Sequence, residues 1–197
     1  QSWKETLSEL GIAFDRQAFS SIFGMNNALA LKKIFGQQPS QQVLEEIADR
    51  KEAKYRAAIR GKAAFMPGVE SWLRSFTQMG IPQAIASSAP QANIDALGKE
   101  LGFDGFFQTI VSAYNIPSKP DPAVFLLTAR NLQADPSACL VIEDSLVGVE
   151  AANRAGMSCI AVTTTHTPAA LARANLVLAR LTDSPVETAL QKLGLYP

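Results

Sequence analysis

The stretch that most constrains the fold is residues 139–145, where an apolar segment ends directly in two adjacent carboxylates, Glu143 and Asp144. A helix-like pattern follows at once. In open α/β sheets a parallel strand is covered on both faces, and its C-terminal end opens onto the crevice where ligands bind. Two carboxylates there would repel each other unless a cation lies between them, and Mg²⁺ prefers oxygen ligands. Alternatively, Asp144 or Ser145 only caps the following helix, because both residue types are favoured N-caps.

The composition excludes several classes of partner. Lys plus Arg and Asp plus Glu number 18 each among 197 residues, so no field of one sign favours a nucleic acid or an anionic membrane. There is no long apolar run and no recognisable leader, so we expect a soluble cytoplasmic protein, either a monomer or a weak homodimer. Cys139 and Cys159 lie in apolar runs, which favours buried thiols over a disulfide.

The sequence separates into a helical segment and an alternating segment. Residues 1–63 carry apolar residues at helical spacing only, which predicts a small helical bundle. In residues 64–197, short apolar runs alternate with helical patterns, which is typical of a doubly wound parallel sheet in an α/β fold. The boundary is expected between residues 61 and 67. The predicted strands cover residues 81–86, 109–112, 139–142, 158–162 and 176–178.

Polar side chains follow three of these predicted strands. Ser87 and Ser88 follow the first strand, Lys119 follows the second, and Glu143 and Asp144 follow the third. A hydroxyl with backbone N–H groups can hold phosphate oxygens, a lysine can neutralise phosphate, and an acidic pair can hold Mg²⁺. Together they predict a phosphoryl-transfer site. Taken singly, serines before a proline are usually turn formers, and a lone Lys-Pro is usually a surface feature.

These motifs resemble the haloacid dehalogenase superfamily, in the branch with a helical cap near the N-terminus, and within it the β-phosphoglucomutase-like phosphatases and mutases. The resemblance implies a doubly wound α/β core with an inserted α-helical cap domain. The matching motifs are Pro67-Gly68-Val69, Ala86-Ser87-Ser88, Ser118-Lys119-Pro120-Asp121-Pro122, Glu143-Asp144-Ser145-Leu146-Val147-Gly148-Val149, Ala151-Ala152 and Ala155-Gly156.

The resemblance also implies a role for each residue of the site. Ser87 would bind the transferring phosphoryl group, with Ser88 contributing its backbone N–H. Lys119 would bridge the phosphate and the nucleophile. Asp144 would ligate Mg²⁺, and Glu143 would join or orient the metal shell. The acidic pair favours the magnesium-dependent phosphatases over true dehalogenases, which need no metal.

The chain departs from the family pattern at the nucleophile. The first strand of the family carries Asp-x-Asp-Gly, whose first aspartate is the nucleophile and whose second is the general acid/base, and no Asp-x-Asp occurs in the 197 residues. Asp15 lies within the helical pattern and cannot replace it. The absent strand would lie between the strands that end at Ser87 and Glu143, and each buried backbone group left unpaired costs about 1–3 kcal/mol.

Three explanations of this departure stay open. The sequence is a shortened form of a longer enzyme, or another chain or segment supplies the strand, or the protein is a non-catalytic relative that closes its sheet differently. We favour the first two, because the other site residues are in place and unpaired buried strands are unfavourable.

Substrate contacts are expected from the helical segment. By the resemblance, Asn27 and Lys51 occupy the places of polar and basic substrate contacts, although a helix lysine such as Lys51 is more commonly only solvated. Asn27 stands where related mutases have an arginine. We therefore expect a magnesium-dependent phosphatase for a small phosphorylated metabolite, such as a sugar phosphate, that is inactive without its nucleophile. The alternatives are a β-phosphoglucomutase-type phosphomutase and a non-catalytic binding protein. His166 is expected to be a loop residue near the rim of the site.

Overall fold

The computed structural model describes residues 1–103 and 105–195. Its first four helices follow one another without an intervening strand, as predicted for the helical segment. Capping side chains begin three of them, and a glycine in the left-handed conformation follows each of the four, at Gly11, Gly24, Gly36 and Gly61. These helices are α1 (Ser2–Glu9), α2 (Arg16–Ile22), α3 (Asn27–Phe35) and α4 (Gln41–Ile59).

The rest of the described chain alternates between helices and strands. The helices are α5 (Val69–Gln78), α6 (Gln91–Leu101), α7 (Ala123–Asn131), α8 (Leu146–Arg154) and α9 (Val186–Lys192). The strands are β1 (Ala84–Ser87), β2 (Thr109–Ser112), β3 (Leu140–Glu143), β4 (Ser158–Val162) and β5 (Leu176–Leu178). All strand pairs are parallel, which confirms the predicted α/β class.

Side chains of β4 point alternately into two separate cores. Cys159 and Ala161 belong to the core packed against α7 and α8, whereas Ile160 and Val162 belong to the core formed with α5 and α9. A strand with period two that is buried on both faces is the expected centre of a doubly wound layer. A third, smaller cluster lies in the helical segment, around Leu31.

The strands form two ladders instead of one continuous sheet. β1 pairs with β2, and β4 lies between β3 and β5. Among the described residues, no ladder joins β1 to β3. Each of these two strands therefore has one edge without a neighbouring strand, on the side where the sequence predicted a further strand.

Two predicted strands differ from the structure in their bounds: β3 spans Leu140–Glu143 instead of residues 139–142, and β1 spans Ala84–Ser87 instead of residues 81–86. β1 begins at Ala84 instead of residue 81, because the backbone N–H of Gln83 donates to the side chain of Gln108, 2.6 Å away. Helix α7 begins at Ala123, and Asp121 accepts from the Ala123 N–H at 2.9 Å, so Asp121 stands one residue before the N-cap position. None of the helices in the described ranges is long and apolar enough to cross a membrane.

Candidate active site

A buried ammonium lies at the centre of the strand ends. Lys119 is 5% exposed, and its Nζ donates to Glu143 Oε2 at 2.7 Å and to the carbonyl oxygen of Ala86 at 3.4 Å. The Phe125 ring of α7 lies 4.5 Å from the same nitrogen and covers it. Because the ion pair is shielded from water, its attraction is stronger than that of a surface pair.

The Lys119 ammonium spans the space between the two ladders. Carbonyls of Gln83 and Ser87 face β2, since they accept from Gln108 N and Ala113 N. Successive residues of a strand direct their backbone groups to opposite edges, so the Ala86 carbonyl faces the edge of β1 that has no neighbouring strand. The same ammonium thus contacts the free edge of β1 and the last residue of β3.

Glu143 has both of its carboxylate oxygens occupied. Oε2 accepts from Lys119, and Oε1 accepts from Asp144 N and Ser145 N at 3.1 Å and from Ser145 Oγ at 2.8 Å. Burial alone would raise the pKa of Glu143, but the Lys119 charge and these hydrogen bonds outweigh it and hold the pKa below its usual range. Gly148 is required opposite this carboxylate, because a Cβ there would overlap it.

Asp144 is the carboxylate that remains available to a cation. Its Oδ2 accepts from Thr164 Oγ1 at 2.6 Å, and its backbone carbonyl lies 3.2 Å from Nδ1 of His166. Burial raises the pKa of Asp144, and the Glu143 charge adds to this, against a lowering by Thr164. The Lys119 charge also lowers the pKa of Asp144, but burial outweighs it. A cation bound at this partly buried carboxylate would stabilise its ionised form.

The described residues contain no cluster of three or more His, Cys, Asp or Glu side chains suited to a metal. Mg²⁺ does not need one, because it usually keeps several waters and takes one or two carboxylates together with substrate oxygens. Asp144 fits that donor set. Glu143 is committed to Lys119 and Ser145, so its position fits the predicted orienting role better than direct ligation.

The predicted phosphate-binding serines lie where the helical segment meets the strand ends. Ser87 ends β1, beside the carbonyl that binds Lys119, and its Oγ accepts from Ala89 N at 3.1 Å. Ser88 Oγ donates to the Gly24 carbonyl at 2.7 Å. Ser118 Oγ accepts from Asn26 N at 3.0 Å, which places residues 24–26 directly over the strand ends.

Asn27 and Lys51, the predicted substrate contacts, lie in a polar cluster at the border of the helical segment. Both donate to Oε1 of Glu52, at 2.7 Å from Asn27 Nδ2 and 2.8 Å from Lys51 Nζ. Glu52 Oε2 accepts from Nδ2 of Asn93 on α6 at 2.5 Å. The Trp3 ring lies 5.0 Å from the Lys51 ammonium. The cluster thus joins the two predicted contacts to each other and to the alternating segment.

Sequence reasoning missed three contributors to this region. Thr164 lies just after β4, as Asp144 lies just after β3, so the strand-end rule could have found it. Ser118 adjoins Lys119 within the motif but was not singled out. Nothing in the pattern marked Glu52, because a buried glutamate on a charged helix is unusual. His166 lies beside Asp144, as expected for a residue at the rim.

A groove of about 420 Å³ opens beside Asp144 at the C-terminal ends of β3 and β4. Met66 and Ile142 are 56% and 40% exposed there, although both are apolar. The groove is lined by Met66, Pro67, Val69, Ile142, Glu143, Asp144, Val162, Thr164, Arg180 and Leu181.

Comparison with known proteins places this geometry in a family. The haloacid dehalogenase-like hydrolase family matches residues 1–156. The YhcW protein of Bacillus subtilis is 34% identical over 119 residues, which are 60% of this chain and 54% of YhcW, so the chain spans about half of that relative. The validoxylamine A 7′-phosphate phosphatase of Streptomyces hygroscopicus subsp. limoneus is 28% identical over 93% of this chain and 86% of its own length.

A solved structure agrees with the sequence comparison. The β-phosphoglucomutase of Clostridium difficile superposes with a TM-score of 0.88 and 26% identity, covering 98% of this chain and 88% of its own. The match therefore includes the helical segment as well as both ladders. The extent of the family match, which takes in Ser87, Lys119 and Asp144, leads to one conclusion: this chain belongs to the haloacid dehalogenase-like hydrolases.

Proposed function

We propose that this protein is a magnesium-dependent phosphatase scaffold for a small phosphorylated metabolite, with residues 1–63 acting as a substrate-covering helical cap. The observation that carries the proposal is the buried Lys119 ammonium between the free edge of β1 and Glu143. A fixed cation in a shielded site stabilises the charge of a transferring phosphoryl group more strongly than one in water.

In this proposal each residue of the site has a distinct task. Ser87 and the N–H groups that follow it hold the phosphoryl oxygens, and Lys119 neutralises their charge. Asp144 holds Mg²⁺, which when bound would neutralise further phosphate charge. Glu143 holds the Lys119 ammonium in place through their shielded ion pair.

The nucleophile in this proposal comes from an extended segment between β1 and β3. Within residues 1–103 and 105–195, both strands present an edge without a neighbouring strand, and Lys119 lies at the C-terminal end of the space between them. A parallel strand there would satisfy both edges and bring its own C-terminal end to Ser87 and Lys119. An aspartate at that end would be adjacent to the phosphate.

The direct test is to measure phosphate binding and phosphate-ester hydrolysis separately. We expect the 197-residue protein to bind inorganic phosphate in the presence of Mg²⁺. The Lys119→Met variant should bind it at least about tenfold more weakly. We expect no turnover of a phosphate-ester panel until a form extended upstream of Gln1 supplies an aspartate-bearing strand.

Either of two results would contradict the proposal. Turnover by the 197-residue form that is lost in Asp144→Ala would show that its nucleophile lies within these residues. Phosphate binding that is unaffected by Lys119→Met would show that phosphate does not bind at the Lys119 site. A binding protein on the same scaffold would bind phosphate in both forms and hydrolyse esters in neither.

A further inference from the structure

We propose that His166 is a positioning residue that couples Mg²⁺ binding at Asp144 to the docking of the helical segment over the strand ends. The inference rests on the proposed function, because it takes Asp144 as the carboxylate that holds Mg²⁺ and residues 1–63 as the cap. It adds the physical connection between the two, which runs through both sides of one imidazole ring and ends at Phe23.

One side of the imidazole fixes Asp144. Nδ1 of His166 lies 3.2 Å from the backbone carbonyl oxygen of Asp144, and because a carbonyl oxygen only accepts, Nδ1 carries the proton in this contact. Thr164, on the same loop, donates from Oγ1 to Asp144 Oδ2 at 2.6 Å. The loop after β4 therefore holds both the main chain and the carboxylate of Asp144. Hydrogen bonds of this kind, made to a ligand residue from outside the metal site, orient the carboxylate for the metal.

The other side of the imidazole contacts the helical segment. The ring of Phe23, the residue directly after α2, lies 6.1 Å from the His166 ring between centroids, at an interplanar angle of 50°. Phe23 packs in turn on Phe19 of α2, with 5.4 Å between ring centroids. Nε2 of His166 is buried and has no hydrogen-bond partner within the described part of the chain. The orientation of the imidazole therefore depends on the Nδ1 contact and on packing, to which Phe23 contributes an aromatic contact.

Phe23 leads directly into backbone that lies on the strand-end loops. The carbonyl of Gly24 accepts from Ser88 Oγ at 2.7 Å, and a Cβ at Gly24 would overlap Ser145. Gly24 also has a φ of 86°, which glycine adopts without strain. Phe23 and Gly24 together thus contact the loops after β1, β3 and β4. If the helical segment lifted from the strand ends, the contact between Phe23 and the imidazole would break with the others.

Docking and Mg²⁺ binding should therefore favour each other. With the helical segment docked, Phe23 holds the His166 ring against the Asp144 carbonyl, which keeps the carboxylate in position for a cation. Because the coupling between two binding events is reciprocal, bound Mg²⁺ should stabilise the docked segment by the same factor. A histidine that only filled space would contribute to the stability of the fold and leave the Mg²⁺ affinity unchanged.

The test measures Mg²⁺ affinity by calorimetric titration in the 197-residue protein and its variants. We expect His166→Ala to weaken Mg²⁺ binding about tenfold. His166→Asn should restore most of the affinity, because the Asn amide can place an N–H near the position of the Nδ1–H. Phe23→Leu keeps an apolar side chain but removes the ring, and it should weaken binding about threefold. Added to His166→Ala, Phe23→Leu should have no further effect.

Amide hydrogen exchange tests the reciprocal effect on the helical segment. The Asn26 N–H donates to Ser118 Oγ at 3.0 Å, so its exchange rate reports on docking. Saturating Mg²⁺ should slow this exchange at least about threefold in wild type, and less in Phe23→Leu. Phe14→Leu is the matched control. Phe14 is also a half-buried aromatic residue of the helical segment with an aromatic neighbour, Trp3 at 6.4 Å, and its replacement should change neither measurement.

The possible results separate this inference from the proposed function. An unchanged Mg²⁺ affinity in folded His166→Ala, no recovery in His166→Asn, or an Asn26 exchange rate that does not respond to Mg²⁺ overturns the inference and leaves the proposed function intact. Equal losses of affinity in Phe14→Leu and Phe23→Leu would show a general loosening of the helical segment and also overturn it. If His166→Ala does not fold, Phe23→Leu decides, and an unchanged affinity in that variant overturns the inference. Failure of wild type to bind Mg²⁺ overturns the proposed function itself.

Discussion

Lys119 and Glu143 form an ion pair whose side chains are only 6% and 10% exposed. Such a pair is costly to desolvate, so its stability contribution depends on both partners being present. The Glu143 pKa lies below its usual range in the folded protein, despite burial, because Lys119 and the donors around Ser145 favour the ionised form. Stabilisation by this group is therefore present above the unfolded-state pKa of about 4.3 and is lost as pH falls through the lower folded-state pKa.

Removing the lysine alone should leave an uncompensated buried carboxylate. We expect Lys119→Met to lower the free energy of unfolding by about 3–5 kcal/mol at pH 7, measured by urea denaturation. Lys119→Met/Glu143→Gln should recover much of that loss. The loss in the single variant should also shrink as pH falls, because protonated Glu143 no longer needs a cation.

An exposed ion pair provides the control for this experiment. Arg74 and Glu70 form an i,i+4 pair with side-chain exposures of 64% and 51%. Arg74→Met should change the free energy of unfolding by only about 0.5 kcal/mol. Equal losses of unfolding free energy in Lys119→Met and Arg74→Met would contradict the strong coupling of Lys119 to Glu143.

Asp144 should control magnesium affinity. Its raised pKa means that protons compete with Mg²⁺ at a higher pH than for an ordinary aspartate, whose pKa is about 3.9. Affinity should therefore decline as pH falls through that raised value. We expect Asp144→Asn to weaken Mg²⁺ binding at least about tenfold in calorimetric titration. Asp95→Asn, at an exposed position on α6 where Asp95 pairs with Gln91, should leave the affinity unchanged.

At the scale of single elements, α8 depends on Ser145 for both its start and its link to β3. The Ser145 hydroxyl accepts from Gly148 N at 3.0 Å and donates to Glu143 Oε1 at 2.8 Å, and the residue is 0% exposed. The cap that the sequence offered as an alternative to a metal site is therefore real, and it belongs to Ser145. Asp144 is free of that task.

Truncating this cap should be costly. Ser145→Ala removes one donor–acceptor hydroxyl from a dry environment, and we expect a loss of about 2 kcal/mol in thermal or urea unfolding. Ser40 caps α4 in the same way but is exposed, with a longer 3.4 Å hydrogen bond to Val43 N. Ser40→Ala should cost only about 0.5 kcal/mol. Similar losses in Ser145→Ala and Ser40→Ala would show that the hydrogen bond from Ser145 to Glu143 contributes little to stability.

The elements were largely predictable, because capping residues, glycines and apolar spacing mark their ends locally. The strand Thr109–Ser112 has the bounds that its apolar run predicted. The wrong predicted start of β1 has a different origin. The Gln83 N–H, which a longer strand would use for pairing, donates instead to the side chain of Gln108, which is distant in the sequence. Contacts between residues 25 positions apart leave no periodic signal in the sequence.

The site was predictable only where it follows strand ends. Ser87, Lys119 and Asp144 could be inferred together, because parallel strands bring their C-terminal ends to one edge. The hydrogen bond between Glu52 and Asn93 could not be inferred, since it depends on how α4 packs on α6. For the same reason, sequence alone could not show that Asn27 and Lys51 share one carboxylate.

At the scale of the whole molecule, two ladders face each other across the ammonium of Lys119. Backbone groups of Ala84 and Ala86 on β1, and of Leu140 and Ile142 on β3, point to the edges that have no neighbouring strand in the described chain. Strand edges of this kind are expected to unfold locally more readily than paired edges.

Amide hydrogen exchange can test this arrangement residue by residue. In the 197-residue protein, the N–H groups of Ala84 and Leu140 should exchange faster than those of Ile85 and Val141, which face β2 and β4. An added aspartate-bearing strand should protect the first set and leave the second unchanged. Equal protection of both sets without it would mean that other groups already cover the edges.

The two tryptophans lie on opposite sides of the segment boundary. Trp72 is 4% exposed, and its indole N–H donates to the carbonyls of Leu181 and Ser184, whereas Trp3 stacks under the Lys51 ammonium in the helical segment. Their emission spectra should differ, and a Trp3→Phe variant would separate them. Trp3 fluorescence can therefore test, with no attached dye, whether a phosphorylated ligand reaches Lys51, while Trp72 records the integrity of the remaining fold.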